Sequence, residues 1–225
     1  MPELPEWVEP VARYMFEVGL KGTLRIAAFS MAGSAVIGIV LGTLLTIKFL
    51  PMRAAIRLYI EVWRGLPIIV TIFIVFFALP AVATQFEFDA FTAATIGLTL
   101  WGSAQVAEAT RGAVESIPRE QHEAAAALGF GWSGRHAFVI LPQAFRRLLP
   151  PLVSLLVNIL QNSTIAQVIG AAELLETGER SVERLTIQTF EIHAFEIYGA
   201  VMVVFFLMSF PLTRLAAFLE RRLVQ

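Results

Sequence analysis

Side-chain amides near residue 160 are the groups in this sequence best suited to hold a small polar solute. Ser154, Asn158 and Gln161 recur about one helical turn apart, so a helix places them on one face, with Asn162 on its flank. An amide both donates and accepts hydrogen bonds, which suits a zwitterion carrying an ammonium and a carboxylate. The same side chains could instead hydrogen-bond across an interface between two subunits. The pattern leaves both interpretations open.

A second polar face comes earlier in the sequence. Trp101, Gln105 and Glu108 share one side of a helix, and Glu108 could meet the cationic part of a solute. It could equally pair with Arg111 or another basic residue near a membrane surface, and we favour that pairing. The candidate substrate path therefore comprises four residues: Asn158, Gln161, Asn162 and Glu108.

Metal and nucleotide chemistry have no support in the sequence. The chain has no cysteine, and its three histidines, His122, His136 and His193, are far apart along it. No G-x-x-x-x-G-K-[ST] phosphate loop occurs, so we do not expect the chain to bind ATP in that manner. We therefore predict no catalytic residue, metal or cofactor in this chain.

The elements that must position these residues are membrane helices. Hydrophobic residues make up 57% of the 225 residues and charged residues only 16%, which is more apolar than a soluble domain requires. A helix needs about 20 mostly apolar residues to cross the hydrocarbon layer, and the apolar stretches lack the alternation of membrane strands. The sequence thus predicts an all-α integral membrane protein with about five transmembrane helices. Their uncharged cores are Ile26–Ile47, Gly65–Gln85, Ala90–Ala107, Leu148–Ala172 and Ile197–Thr213.

Charge is distributed unevenly between the predicted loops. Basic residues follow the first, third and fifth spans, whereas the loops after the second and fourth are acidic. Under the positive-inside rule, this places the N-terminus outside and the C-terminus in the cytoplasm. The basic residues are Lys48, Arg53, Arg57, Arg64, Arg111, Arg119, Arg135, Arg146, Arg147, Arg214, Arg221 and Arg222. The acidic ones are Glu87, Asp89, Glu173, Glu176, Glu179, Glu183 and Glu191, and the loop after the fourth span has only two arginines, Arg180 and Arg184.

The N-terminal residues 1–21 do not resemble a cleaved signal, since they begin with acids and lack a basic start. Leu4, Trp7 and Val11 are among the apolar residues that recur there at helical spacing. This pattern predicts an amphipathic helix along the outer membrane interface, and a partly ordered tail is the alternative. No linker or repeat divides the rest, so we predict a single transmembrane domain over residues 1–225.

The connection between the third and fourth spans, residues 111–149, is long for a helix–helix loop and carries helical signals of its own. Ser116 and Pro118 are start signals, and the run 123–128 favours a helix. Gly129 stands where a C-terminal cap is expected. The alanines of this run could let a partner protein approach closely, or could simply be good helix formers.

Prolines mark two further boundaries. A second short helix is predicted from about Ser133 to Leu141, where Pro142 ends or redirects it. At the start of the second span, Gly65 and Pro67 are expected to break or kink a helix.

Together these motifs resemble the EAA signature of ABC importer permeases. The core of the match is Glu123-Ala124-Ala125, Gly129 and Ile140-Leu141-Pro142. The run from Glu108 to Pro118 is similar to the one that precedes this signature in histidine, glutamine and arginine permeases. Arg64-Gly65-Leu66-Pro67 resembles their R-G-T-P element. Further matches are Ala78-Leu79-Pro80, the runs 141–146 and 149–152, Val168-Ile169-Gly170 and Glu173-Leu174-Leu175.

The resemblance covers roughly residues 61–175, with its motifs in the family's order. It departs from the family at Leu66, where threonine is usual. It departs again at residues 161–165, where Gln-Asn-Ser-Thr-Ile replaces K-[DN]-T/S-S-L.

The resemblance implies a type I importer permease with a MetI-like fold in the bacterial inner (cytoplasmic) membrane. It implies a polar amino acid as substrate, although the sequence does not say which one. The implied partners are an ATPase subunit, an extracytoplasmic solute-binding protein and a second permease, either another copy or a relative. The ATPase-coupling residues would be Glu123, Ala124, Ala125 and Gly129.

An ion-coupled secondary amino acid carrier is the competing interpretation. Such carriers usually have carboxylates or broken helices near the bilayer midplane, often in repeated halves. No acid lies in the middle of a predicted span and no second copy of the motifs occurs, so we favour the importer.

Overall fold

The structure is a computed structural model that describes residues 5–47 and 49–223. Residues 1–4 of the predicted interfacial segment and Lys48 of the predicted basic loop lie outside this described part. All its regular segments are helical, which confirms the all-α prediction. The helices are α1 (Val8–Leu44), α2 (Leu50–Gly65), α3 (Ile68–Val82), α4 (Ala90–Glu115), α5 (Arg119–Ala127), α6 (Trp132–Ile169), α7 (Leu174–Thr189) and α8 (Ala194–Leu223).

Three of these helices, α1, α6 and α8, are long and apolar enough to cross a membrane. The broken pair α2 and α3 makes a fourth if it counts as one span. The predicted third span lies in α4, which has 26 residues but is less apolar because it carries several Thr, Ser and Gln residues. One of its polar groups pairs with α2, since Ser103 Oγ and Tyr59 Oη lie 2.6 Å apart. By length and apolarity, therefore, the structure supplies three or four spans where the sequence predicted about five.

The predicted interfacial segment is the first part of α1. This helix runs without a break for 37 residues, with a π-helical turn at Met15–Leu20. The helix that contains the first span thus starts well before Ile26, and the interfacial position of its beginning stays a prediction.

The predicted break before the second span is confirmed. Helix α2 ends at Gly65, and Leu66 is extended, with φ −83° and ψ 140°. Pro67 precedes α3, and proline disfavours helical geometry at the residue before it, so Leu66 cannot continue α2.

The predicted stop at Pro142 is wrong. Helix α6 passes through Pro142, and its α-helical part runs over Leu141–Asn162. A π-helical turn, His136–Ile140, lies directly before it and changes the hydrogen-bond spacing where Pro142 has no N–H to donate. The predicted fourth span also ends early as an α-helix, because a 3₁₀ segment, Ser163–Ile169, follows Asn162.

The chain forms two compact units, and it passes from one to the other within α1, α4, α6 and α8 and between α2 and α3. The first comprises the chain up to Ser30, Pro67–Thr99 and Asn158–Pro211. Glu173 caps α7 there by accepting hydrogen bonds from the N–H groups of Leu175 and Glu176, at 3.0 and 2.7 Å. Its Oε2 also lies 3.4 Å from the hydroxyl of Thr23 on α1. The core beside this cap consists of Met15, Leu174, Leu185, Ile197 and Val201.

The second unit comprises Met31–Leu66, Leu100–Val157 and the chain from Leu212. Helix α1 approaches α4 closely at Gly38 and Gly42, which are four residues apart. A Cβ at Gly38 would lie 2.4 Å from Cβ of Val106, and one at Gly42 2.4 Å from the Ala107 carbonyl oxygen. Such pairs of small residues let membrane helices pack backbone to backbone. A separate core joins the end of α4 to α6 and consists of Ala113, Val114, Ile117, Ile140, Ala144 and Leu148.

Candidate functional site: a capped helix and an amide face

Helix α5 has nine residues and is closed at its C-terminal end. Gly129 has a φ of +84°, a backbone conformation in which a residue with a side chain is strained. Its N–H bonds to the Ala126 carbonyl at 2.9 Å, and the Phe130 N–H bonds to the Ala125 carbonyl at 3.1 Å. These two bonds form a Schellman motif. The predicted glycine cap is therefore confirmed.

The other end of α5 is held by Arg147 of α6, which the sequence did not single out. Its Nη1 donates to the carbonyl oxygen of Ser116 at 2.7 Å and to the Ser116 hydroxyl at 2.9 Å. Ser116 thus closes the end of α4 and does not start α5, which begins after Pro118. In addition, Gln143 Nε2 lies 3.4 Å from Gln121 Oε1 and links α6 to α5 directly.

The predicted coupling residues do not all face outward. Glu123, Ala124 and Gly129 are exposed, whereas Ala125 is only 2% exposed and packs inside its own chain. Ala125 can therefore support the helix but cannot form a broad contact with a partner.

Large apolar side chains surround the exposed end of α5. Leu128 is 79% exposed, Phe138 is 74% exposed, and Phe130 lies 6.1 Å from Phe138 between ring centroids. Large apolar side chains seldom cluster on the water-exposed surface of a protein. An apolar patch with a polar rim commonly marks a protein interface. The end of α5 thus has the character of a docking surface.

Two of the histidines meet beside this surface, although they are 14 residues apart in sequence. The rings of His122 and His136 lie 6.3 Å apart, and His136 is stacked on Trp132 at 4.2 Å. His136 Nδ1 bonds to the Trp132 carbonyl at 2.9 Å, and its Nε2 lies 3.2 Å from the Thr46 hydroxyl. Partial burial and the positive charge of Arg135 lower the pKa of His122, so its ring is neutral at neutral pH. Within residues 5–47 and 49–223, no three His, Asp or Glu side chains lie close enough to hold a metal ion.

Glu108 forms the predicted ion pair with Arg111. Its Oε1 lies 2.6 Å from Nη2 of Arg111, and its Oε2 lies 3.7 Å from Nη1 of Arg57. Arg111 also pairs with Glu115 on the next turn. Because two cations already surround the carboxylate, a contact between Glu108 and a solute stays a prediction that the pairing does not favour.

The amide face lies where the α-helical part of α6 ends. Asn158 and Gln161 are exposed in the chain, and Asn162 is half-buried. Nδ2 of Asn162 donates to the Asn158 carbonyl at 2.7 Å, while Ser163 and Thr164 donate to the carbonyls of Leu160 and Gln161, both at 2.8 Å. These side chains satisfy carbonyls that the end of a helix leaves without partners.

Gln161 makes a weaker contact. Its Nε2 lies 3.5 Å from Oγ of Ser209 on α8, at the outer limit for a hydrogen bond. The sequence predicted the face shared by Asn158 and Gln161, but it did not predict that the α-helix ends at Asn162. The run of four polar residues, 161–164, was the available signal, because hydroxyl and amide side chains compete with helical hydrogen bonds.

Comparison with known proteins identifies what this arrangement is similar to. The family described as "binding-protein-dependent transport system inner membrane component" matches residues 34–225. The glutamine transport system permease protein GlnP of Escherichia coli (strain K12) is 36% identical over 205 residues, which is 91% of each chain. The probable glutamine ABC transporter permease protein GlnM of Bacillus subtilis (strain 168) is 31% identical over 209 residues, or 93% of each chain.

Solved structures share the fold. A chain in the crystal structure of an amino acid ABC transporter with histidines superposes with a TM-score of 0.81 and 26% identity. That alignment covers 98% of this chain and 100% of the other. A chain of an inward-facing MetNI methionine ABC transporter superposes with a TM-score of 0.78 over 99% of this chain and 100% of that one. Its 19% identity makes it a likeness of fold alone. The predicted MetI-like fold is thereby confirmed.

Proposed function

The chain belongs to the family of binding-protein-dependent transport system inner membrane components, and we propose that it is the transmembrane subunit of an ATP-driven importer of polar amino acids. Its relatives are amino acid ABC transporter permeases of the inner membrane, and the chain has apolar helices that could span that membrane. The observation that carries the proposal is that α5 is held at both ends and has exposed apolar side chains at its rim.

The partner proposed for α5 is a separate ATPase subunit. A motor protein can transmit movement through a helix only if the helix does not deform first. The Schellman motif at Gly129 and the bonds of Arg147 to Ser116 give α5 this rigidity. Glu123 and Ala124 would then contact the ATPase, with Leu128, Phe130 and Phe138 at the rim. ATP and magnesium would bind the ATPase, and this chain would need no cofactor.

The remaining partners follow from the translocation path. Asn158 and Gln161 are amides exposed on a helix of a membrane protein, and exposure of such groups to lipid is unfavourable. A second permease, either a copy of this chain or a relative, would cover them and complete the path. A solute-binding protein would deliver the amino acid on the opposite side from α5. This arrangement requires the N-terminus outside and the C-terminus in the cytoplasm.

The substrate class rests on the relatives and on the chemistry of the amide face. The Escherichia coli relative is a glutamine permease by name, and the side chains of Asn158 and Gln161 can donate to a carboxylate and accept from an ammonium. We assign a polar amino acid, with glutamine as the first one to test.

Purification of the tagged chain from its native host in mild detergent, followed by mass spectrometry of stoichiometric partners, tests the proposal. We expect one ATPase per permease chain, and a second permease species would distinguish a heterodimer from a homodimer. A complex that stays intact and contains no ATPase would overturn the importer and favour the ion-coupled carrier. A captured binding protein would give the substrate by its ligand.

A further inference from the structure

A cavity in the first unit, separate from both α5 and the amide face, lies between the start of α1 and the middle of α7. Its volume is about 360 Å³, within the range of sites that hold small ligands. The walls from α1 are largely aromatic and apolar, whereas α7 brings guanidinium groups. The lining relevant here is Trp7, Val11, Tyr14, Arg180, Arg184 and Gln188.

The cavity lies at the level where a spanning helix begins. Trp7 packs against His193, with ring centroids 4.6 Å apart, and His193 directly precedes α8. The apolar side chains around His193 are almost fully exposed: Phe190 is 91% exposed and Phe195 is 90% exposed. Trp and Tyr are the aromatic residues that mark the headgroup region of a membrane, and Trp7 and Tyr14 both line the cavity. Together with the predicted interfacial position of the start of α1, they favour a cavity at the level of the phospholipid headgroups.

Two guanidinium groups line the cavity from α7. Arg180 and Arg184 are one turn apart, so they share a face of α7. Arg180 pairs through its Nε with the buried carboxylate of Glu176. In the described part of the chain, no acidic side chain lies within 4 Å of the Arg184 guanidinium. Guanidinium groups bind phosphate in a planar, bidentate geometry.

We propose that this cavity binds the headgroup of an anionic phospholipid. The phosphate would lie against the guanidinium groups of Arg184 and Arg180. Gln188 would be placed to hydrogen-bond the hydroxyl groups of a glycerol headgroup. Trp7 and Tyr14 would contact the less polar glycerol backbone, since both side chains combine an apolar ring with a polar edge. The bound lipid would join the start of α1 to α7. The proposal requires only that the chain lies in a membrane, so it stands or falls separately from the transport function.

Native mass spectrometry of the purified full chain tests the proposal without ATPase or uptake. The chain is titrated with phosphatidylglycerol and, separately, with phosphatidylcholine of the same acyl chains. We expect one phosphatidylglycerol to bind about 25-fold more tightly than phosphatidylcholine, since each of the two arginines near the anionic headgroup contributes about fivefold. Arg184→Gln should lower phosphatidylglycerol affinity about fivefold, and Arg184→Lys should restore part of the loss.

Arg13→Gln is the matched control, because Arg13 is on α1, has a 75% exposed side chain and does not line the cavity. It should leave the preference for phosphatidylglycerol unchanged. An equal loss in the Arg13 and Arg184 variants would reduce the effect to general electrostatics and overturn the site, as would equal binding of both lipids. Displacement by inorganic phosphate as readily as by short-chain phosphatidylglycerol would assign the cavity to a free anion and also overturn the proposal.

Discussion

Substitution of Gly129 separates the two properties that α5 needs, a closed end and an accessible surface. Gly129 has a φ of +84°, and a Cβ built there meets no atom within 4 Å. Any residue with a side chain is therefore strained by its backbone, while the exposed position leaves open space around the added Cβ. Gly129→Ala and Gly129→Arg should consequently destabilise the isolated chain to the same extent and differ only where a partner binds.

The expected strain is about 1–2 kcal/mol, the penalty for an L-residue in the left-handed region. This corresponds to about a tenfold change in the ratio of capped to frayed helix. Because α5 has only nine residues, it is too short to be stable without its caps and its packing. Gly129→Ala should thus lower uptake by at most about thirtyfold, the factor that corresponds to about 2 kcal/mol. Gly129→Arg should abolish uptake, because its side chain adds a long cation at the surface proposed to contact the ATPase.

The assay is ATP-driven amino acid uptake into proteoliposomes that contain the purified complex, with thermal unfolding of each variant in detergent as the control for folding. We expect equal melting temperatures for the two variants and uptake in Gly129→Ala only. Equal loss of uptake in both would show that strain at the cap, and not contact with the ATPase, is responsible. Normal uptake in Gly129→Arg would refute the assignment of this surface to the ATPase.

Three further predictions concern the supports of the two sites. Arg147→Gln should increase hydrogen exchange of the α5 amides, because it removes the bonds to Ser116. Substitution of the exposed neighbour, Arg146→Gln, should leave that exchange unchanged. Equal exchange in the two variants would contradict the role of Arg147. Burial raises the pKa of Glu173, so its contribution to stability is full below the ordinary carboxyl pKa and declines as pH rises through the raised value. The melting temperature of the native chain minus that of Glu173→Gln should therefore decrease from acid to neutral pH, and an increase would refute the sign. Replacing Asn158 and Gln161 together by leucine should abolish uptake while the ATPase still copurifies, and unchanged uptake would remove both from the path.

The features that could be predicted from sequence depend on a few adjacent residues. The cap at Gly129 needs only a helix former followed by a residue that tolerates positive φ. The break between α2 and α3 needs only the proline at 67. The pair Glu108–Arg111 is three residues apart on one helix, so its contact follows from helical geometry alone.

The features that the sequence did not predict depend on contacts between distant segments. Arg147 reaches Ser116 across 31 residues, and Thr23 reaches Glu173 across 150. No local pattern distinguishes Arg147 from Arg146, because which arginine faces α4 depends on how α6 packs. The path of α6 through Pro142 was missed for a similar reason, since the π-helical turn that accommodates the proline has no strong sequence signature.

The end of the α-helix at Asn162 reduces the number of residues that could contact a solute in the candidate path. A donor that already satisfies a carbonyl of its own helix is poorly available to a solute, since the solute would have to offer a better acceptor. Asn162 is in this position, because its amide lies 2.7 Å from the Asn158 carbonyl. Gln161 is not, because its amide reaches Ser209 only at 3.5 Å. A carboxylate at normal hydrogen-bond distance would outcompete that contact, so we predict that Gln161 contributes more than Asn162 to binding an amino acid.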